Sequence, residues 1–142
     1  MDRIALIIGN SNYQNVNKLK NPKHDADDIE KVLQKLNFDV TKITDATLLE
    51  IQQAVNNFLQ ALDEYAVGLL FYAGHGMQID GRNYIAPIDL ECSSKSRTTV
   101  SCYCLNTFLD GIHQKVLLLL ILLVPIVARL MDNIAMAYIR KY

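Results

Sequence analysis

The segment LLFYAGHGMQIDGRNYIAPID, residues 69–89, contains the side chain best placed for acid–base chemistry: His75, set between Gly74 and Gly76 just after an apolar run. A neutral imidazole there can take a proton from a thiol, and the Gly76 N–H can donate to a developing oxyanion. The flanking glycines predict a sharp backbone turn that leaves the imidazole and that N–H uncovered. For a histidine standing alone, a ring packed inside a glycine turn is the competing reading. The chemistry also needs a nucleophile within hydrogen-bond reach of the base. The only thiols are Cys92, Cys102 and Cys104, and free cysteines usually behave as small buried hydrophobes. No His/Cys spacing suits zinc. His24 and His113 read as surface residues, and neither a metal nor a cofactor is implied.

The elements that must position His75 follow from hydrophobic period. RIALIIG is a short apolar run closed by glycine, as expected of a strand buried on both faces. NPKHDADDIEKVLQKLNF supplies a helix, with Asp25 as its N-cap, Asp28 at N3, and Ala26, Ile29, Val32, Leu33 and Leu36 on one face. DVTKIT is a second strand. Thr47 and Glu50 form a capping box that opens a second helix with Ile51, Val55, Phe58 and Leu62 inward. VGLLFY is a third, fully apolar strand. Asp80-Gly81 between two alternating segments signals a hairpin. ECSSKSRTTVS reads as a polar loop and LNTFLDGIHQK as a short helix. Strand and helix alternating in this way predict an α/β fold, a mainly parallel sheet with helices on both faces. In such sheets sites gather at the carboxyl ends of the strands, where His75 falls.

ALIIGNSNY, LKNPKHDADDI, LLFYAGHG and NYIAPID occur in an order and at spacings that resemble the caspase-like cysteine peptidases. The likeness is to the p20-type domain, nearest the paracaspase and metacaspase branch, and it covers about residues 3–115. It implies a caspase-hemoglobinase fold and peptide-bond cleavage by a Cys-His dyad, with His75 as base and Gly76 as oxyanion donor. It also implies that Asp25 lines the pocket for the residue before the cut, where an acid selects Arg or Lys. As a cap, Asp25 would lie at the same end of the sheet as His75, so the two roles are compatible.

The same resemblance places the nucleophile after the next strand, in an Asp-x-Cys-Arg motif. Here that region reads KVLLLLILLVPIVARLMDN. Setting Arg129 on the motif's arginine puts Ala128 at the cysteine and Ile126 at the aspartate. Counting from Phe108 puts the site near Val127. Neither register offers a thiol or a carboxylate. Val116 to Ala128 is an apolar run of 13 residues interrupted by Pro125, short of the roughly 20 that cross a bilayer. A buried strand over Val116–Val124, ended by Pro125, is the expectation. The organisation expected is a caspase-like region over 1–115 and a divergent apolar segment over 116–142, the domain being incomplete at its C-terminus.

The 142 residues allow one core. With 14 basic and 15 acidic residues and a net charge of -1, the chain has no field to draw in nucleic acid or acidic lipid. GNSNYQN lacks the glycines of a dinucleotide loop. An odd cysteine count, no Asn-x-Ser/Thr site and a five-residue apolar run at the N-terminus favour a cytosolic, reducing location. The expected function is a cysteine-type endopeptidase domain, cutting after Arg or Lys, whose nucleophile is missing from this chain. The alternative is an inactive pseudoprotease acting as an interaction module. The expected partners are a protein or peptide substrate, or a caspase-like relative, with no nucleic acid and no membrane.

Overall fold

A computed structural model describes residues 2–110 and 112, together with the backbone of residues 116–125. Strand β1 (Arg3–Gly9) leads through a long loop to helix α1 (Pro22–Lys35), then β2 (Phe38–Thr44), α2 (Leu48–Ala61) and β3 (Val67–Ile79). A hairpin joins β3 to β4 (Arg82–Ile85). Helix α3 (Lys95–Ser101), the two-residue strand β5 (Tyr103–Cys104), α4 (Leu105–Asp110) and β6 (Val116–Pro125) follow. The sheet runs β2-β1-β3-β4-β5, with β6 also on β3. The pairs β1–β2, β1–β3 and β3–β6 are parallel, and β3–β4 and β4–β5 antiparallel.

Alternation along the strands divides the core. Ala5 and Ile7 of β1 and Leu69, Phe71 and Ala73 of β3 pack with Ala26 and Leu33 of α1. Ile4, Leu6, Ile8, Leu70 and Tyr72 pack on the other face with Ile51, Val55 and Phe58 of α2. Both faces of the parallel part are therefore covered, as the unbroken apolar strands require.

Helix α1 departs from expectation at its start. Asn21 is its N-cap and Pro22 its first residue. Proline suits that position because its fixed φ is helical and its missing N–H would have had no partner. Asp25 is thus one turn inside the helix, its N–H donating to Asn21 O at 2.9 Å, and it does not cap. The inward face is also narrower, since Val32 and Leu36 are 51% and 49% exposed. The α2 capping box forms as read, with Glu50 N donating to Thr47 Oγ1 and Thr47 N to Glu50 Oε2. The hairpin turn sits at Asp80-Gly81, both at positive φ (51° and 77°), as a two-residue turn needs.

Two further readings change. The polar loop holds α3, because Ser94 accepts from Arg97 N as an N-cap and Thr98 Oγ1 bonds back to Ser94 O. Strand β3 does not stop at Tyr72. It runs 13 residues to Ile79, past the end of β1, because β4 takes over the pairing there. The apolar run after Lys115 forms β6, and Pro125 is its last residue.

Gly9 fixes how closely α1 approaches the sheet. A Cβ there would meet Pro22 O at 2.7 Å and the Ala26 Cβ at 2.8 Å. Gly9→Ala should lower unfolding free energy by about 1–3 kcal/mol, the usual effect of overpacking, read as a drop in urea midpoint at constant m-value.

Candidate functional site

Gly76 faces Ile85 of β4 and Pro125 of β6, so β4 and β6 lie on opposite sides of β3. The β4 side is the one β1 occupies lower down, where Asn10 N still donates to Ala73 O at 2.9 Å. At His75, β3 thus passes from a parallel to an antiparallel neighbour. Ala86 N donates to His75 O at 3.0 Å, which makes those two a hydrogen-bonded pair. Antiparallel alternation then turns the Gly76 N–H and C=O toward β6.

The expected glycine turn does not occur. His75 lies within extended β3 and is only 5% exposed. Its backbone N–H donates to Tyr13 Oη at 2.8 Å, and its carbonyl accepts from Tyr72 Oη at 2.6 Å. Its ring lies 4.6 Å from that of Tyr13, tilted by 57°. Nε2 is 2.8 Å from Asn17 O. A carbonyl can only accept, so Nε2 carries the hydrogen, and in the neutral ring Nδ1 is the basic nitrogen.

Space, and not turning, accounts for Gly74. A Cβ there would stand 2.5 Å from Tyr13 Oη and 2.6 Å from Tyr72 Oη. The two hydroxyls lie 3.1 Å apart and fill the volume a side chain would take. Burial pushes Tyr13 up to about 12 and Tyr72 well above the ordinary phenol range. Both stay protonated and able to donate.

The loop carrying Tyr13 and Asn17 is pinned at its base. Asn10, fully buried, donates to Ala86 O at 3.1 Å and accepts from Ala46 N at 2.9 Å. Asp45 accepts from Ser11 N and Asn12 N, each at 2.9 Å, from Asn12 Nδ2 at 2.8 Å, and from Lys23 Nζ at 3.0 Å. Burial pushes its carboxyl up, but the Asn12 and Ser11 amides and Lys23 outweigh that and hold it at about 2. None of Tyr13, Tyr72, Asn17 or Asp45 was singled out from the sequence. The signal available was Asn-x-x-Tyr after one strand and Tyr before Ala-Gly-His in another, and it has no meaning until the two strands pair.

Asp25 stands half-buried in the first turn of α1. That turn rests on Gly9, at the carboxyl end of β1, the end beyond which β3 carries His75. His75 has the strand parity of Phe71 and Ala73, which face α1. Asp27, Asp28, Glu30 and Asp45 pair with lysines. Asp25 makes no ion pair among the described residues.

Cys102 is buried with Tyr13, Met77 and Leu90, while Cys92 and Cys104 pack against that cluster. Burial holds the Cys102 thiol at about 12. Burial also pushes Cys104 up, but hydrogen bonds from Arg82 and Thr107 outweigh it and leave this thiol below its ordinary range. Cys104 faces Tyr84 of β4, which in turn faces Met77 of β3. Two interstrand steps put its backbone about 10 Å from β3. His24 is exposed. His113 and the positions aligned with the nucleophile motif, Ile126, Val127, Ala128 and Arg129, lie outside the described residues. Among the described residues no three His, Cys, Asp or Glu side chains group as a metal site, and no helix is long and apolar enough to cross a membrane.

The sequence profile of the Caspase domain family matches residues 2–121. The chain belongs to that family. Mucosa-associated lymphoid tissue lymphoma translocation protein 1 of Homo sapiens is 37% identical over 114 residues, 80% of this chain and 14% of that protein. Its Mus musculus homolog is 36% identical over 114 residues, 80% of this chain and 13% of that protein. The chain therefore spans a small part of the length of these relatives. Among solved structures, the Drosophila initiator caspase Dronc superposes with a TM-score of 0.67 at 12% identity, over 84% of this chain and 47% of that one. A Geobacter sulfurreducens protein gives 0.65 at 20% identity, over 85% and 50%. The caspase-like fold and the likeness to the paracaspase branch are borne out, and the chain carries a caspase-like peptidase domain.

Two outcomes follow from the site's construction. Gly74→Ala should destabilise by about 1–3 kcal/mol and perturb Tyr fluorescence, because both hydroxyls must move. Asp45 has a folded pKa of about 2 against an ordinary 3.8. Its contribution is therefore complete above pH 4 and lost as pH falls toward 2. Asp45→Asn should lower stability at pH 7 by about 1–3 kcal/mol, and denaturant titrations should show that gap closing as pH falls from 4 to 2.

Proposed function

We propose that this chain is the base-bearing part of a cysteine endopeptidase site directed at Arg or Lys, and that the nucleophile is missing from it. His75 is the base, Gly76 N–H the oxyanion donor and Asp25 the acid that accepts the basic side chain. The observation that carries this reading is the Nε2 contact to Asn17 O. It places the hydrogen on Nε2, and on this reading Nδ1 takes the part of the proton acceptor. One fact supports the pocket role: among the described residues, Asp25 is the acid at the start of α1 that makes no ion pair with a lysine. The oxyanion role of Gly76, which pairs with Pro125 of β6, rests on the resemblance alone.

The absence of the nucleophile is inferred from the cysteines. None follows Cys104. Cys102 is held protonated, and thiols react as thiolates. Cys104 is the more reactive thiol but sits two strands from β3, beyond the roughly 3 Å a proton transfer needs. The second reading, a pseudoprotease that binds a protein partner through this face, is favoured by the same cysteine pattern. Three free cysteines also fit a reducing, cytosolic location.

The purified chain should show no thiol-dependent cleavage of Arg- or Lys-containing peptides. Turnover that is blocked by a thiol alkylator and lost in His75→Ala would sink the claim of a missing nucleophile. Replacing residues 116–142 by the corresponding segment of an active relative should confer Arg/Lys-directed cleavage. Asp25→Ala in that chimera should lower kcat/KM for basic substrates by roughly 10- to 100-fold, the loss of a charge-assisted contact, with little effect on a neutral substrate. A folded chimera that stays inert would favour the pseudoprotease.

A further inference from the structure

Several hydrogen bonds at His75 form rings. Its backbone N–H donates to Tyr13 Oη at 2.8 Å, the Tyr13 and Tyr72 hydroxyls are 3.1 Å apart, and Tyr72 Oη donates to the His75 carbonyl at 2.6 Å. With Tyr13 accepting from His75 and Tyr72 donating to it, the Tyr13 hydrogen is left for Tyr72 Oη or for Ala86 O at 3.3 Å. Tyr72 Oη also reaches Ala86 O at 3.0 Å, so the relay begins and ends on His75 when the Tyr72 hydrogen goes to the His75 carbonyl and the Tyr13 hydrogen to Tyr72 Oη. A second ring shares its first bond. The main chain from Tyr13 to Asn17 returns to His75 through Asn17 O and Nε2, 2.8 Å apart. The Tyr13 ring meanwhile lies against the imidazole at 4.6 Å, so rotating the imidazole means losing the Asn17 bond or displacing Tyr13.

We propose that Tyr13 and Tyr72 are positioning residues for His75, holding it in the Nε2–H tautomer so that Nδ1 is the basic nitrogen. This rests on the reading of His75 as the base. Tyr13 acts twice, on the main chain through its hydroxyl and on the ring through its face and through the loop that presents Asn17. Tyr72 acts through Tyr13 and through the His75 carbonyl. Hydrogen-bonded chains in a low-dielectric setting strengthen one another; Tyr13, Tyr72 and His75 are buried, while Asn17 is exposed.

The test is a long-range 1H–15N imidazole spectrum of the full chain at neutral pH, with the His75 signals assigned by His75→Gln. The wild type should show the Nε2–H form. Tyr13→Phe keeps the ring and removes the hydroxyl, and Tyr72→Phe removes the second link. Each should keep the far-UV dichroism of the wild type yet raise the Nδ1–H population about tenfold, the response to about 1.4 kcal/mol. A merely structural role would lower the urea midpoint and leave the tautomer unchanged. Folded variants with an unchanged tautomer ratio, or a wild type in the Nδ1–H form, overturn the proposal. If neither variant folds, the wild type decides. The proposal then requires Nε2–H and a His75 amide exchanging among the slowest of β3, and exchange at loop rates overturns it. Cleavage by the chimera plays no part in this readout. A tautomer that responds in an inert chimera leaves the positioning role standing and removes the peptidase reading.

Discussion

A gap in the sheet governs this end of the molecule. β1 stops at Gly9, opposite Ala73, and β4 begins its ladder opposite Gly76. Between them β3 presents the main-chain groups of His75 to a side with no continuous strand. Buried amides and carbonyls left unpaired would each cost about 1–3 kcal/mol. The chain meets the need with two tyrosine hydroxyls, the Ala86 amide and the buried amide of Asn10, and no buried polar side-chain atom is left without a partner among the described residues. The price is sequence freedom. Position 74 must be glycine because hydroxyls occupy its side-chain volume, and positions 13 and 72 must carry phenols although both are deep in an apolar setting. The histidine of Ala-Gly-His-Gly is therefore a strand residue clamped along its backbone.

The loop after β1 is held by charge as well as by packing. Asp45, at positive φ just past β2, gathers four donors from the start of that loop and from α1. Its carboxylate behaves as the anchor of a backbone nest. Among the described residues the nearby Asp25 makes no ion pair, and the difference between the two carboxylates is one of hydrogen-bond supply.

The sequence showed the layers clearly, because buried parallel strands and amphipathic helices write themselves in continuous and 3.6-residue apolar patterns. Thr47-x-x-Glu50 and Asp80-Gly81 gave a helix start and a hairpin for the same reason: each satisfies its backbone locally. Readings failed where the partner was distant in the chain. Asp25 looked like a cap because acids cap helices, yet Pro22 three residues earlier set the start. Glycines around His75 looked like a turn because glycines usually mark one, whereas the reason for Gly74 is Tyr13, 61 positions away. Val32 and Leu36 fitted the helical stripe but are exposed, so the buried stripe of α1 is narrower than its apolar one. The groups that hold His75 in place, Tyr13, Tyr72 and Asn17, were not legible, because each is brought to it only by the fold.

Pro125 closes β6 directly beside Gly76. Proline suits the position, because in this register the backbone nitrogen of residue 125 faces away from β3 and the ladder needs no hydrogen from it. That makes the position a junction in the engineering sense. The described strand ends one residue past Val124, the partner of His75, and β3 beneath it acts as a fixed mount. A sequence change confined to the far side of this seam leaves every residue of β3, of its clamp and of both helical layers in place, so the fold described and whatever follows it can vary separately.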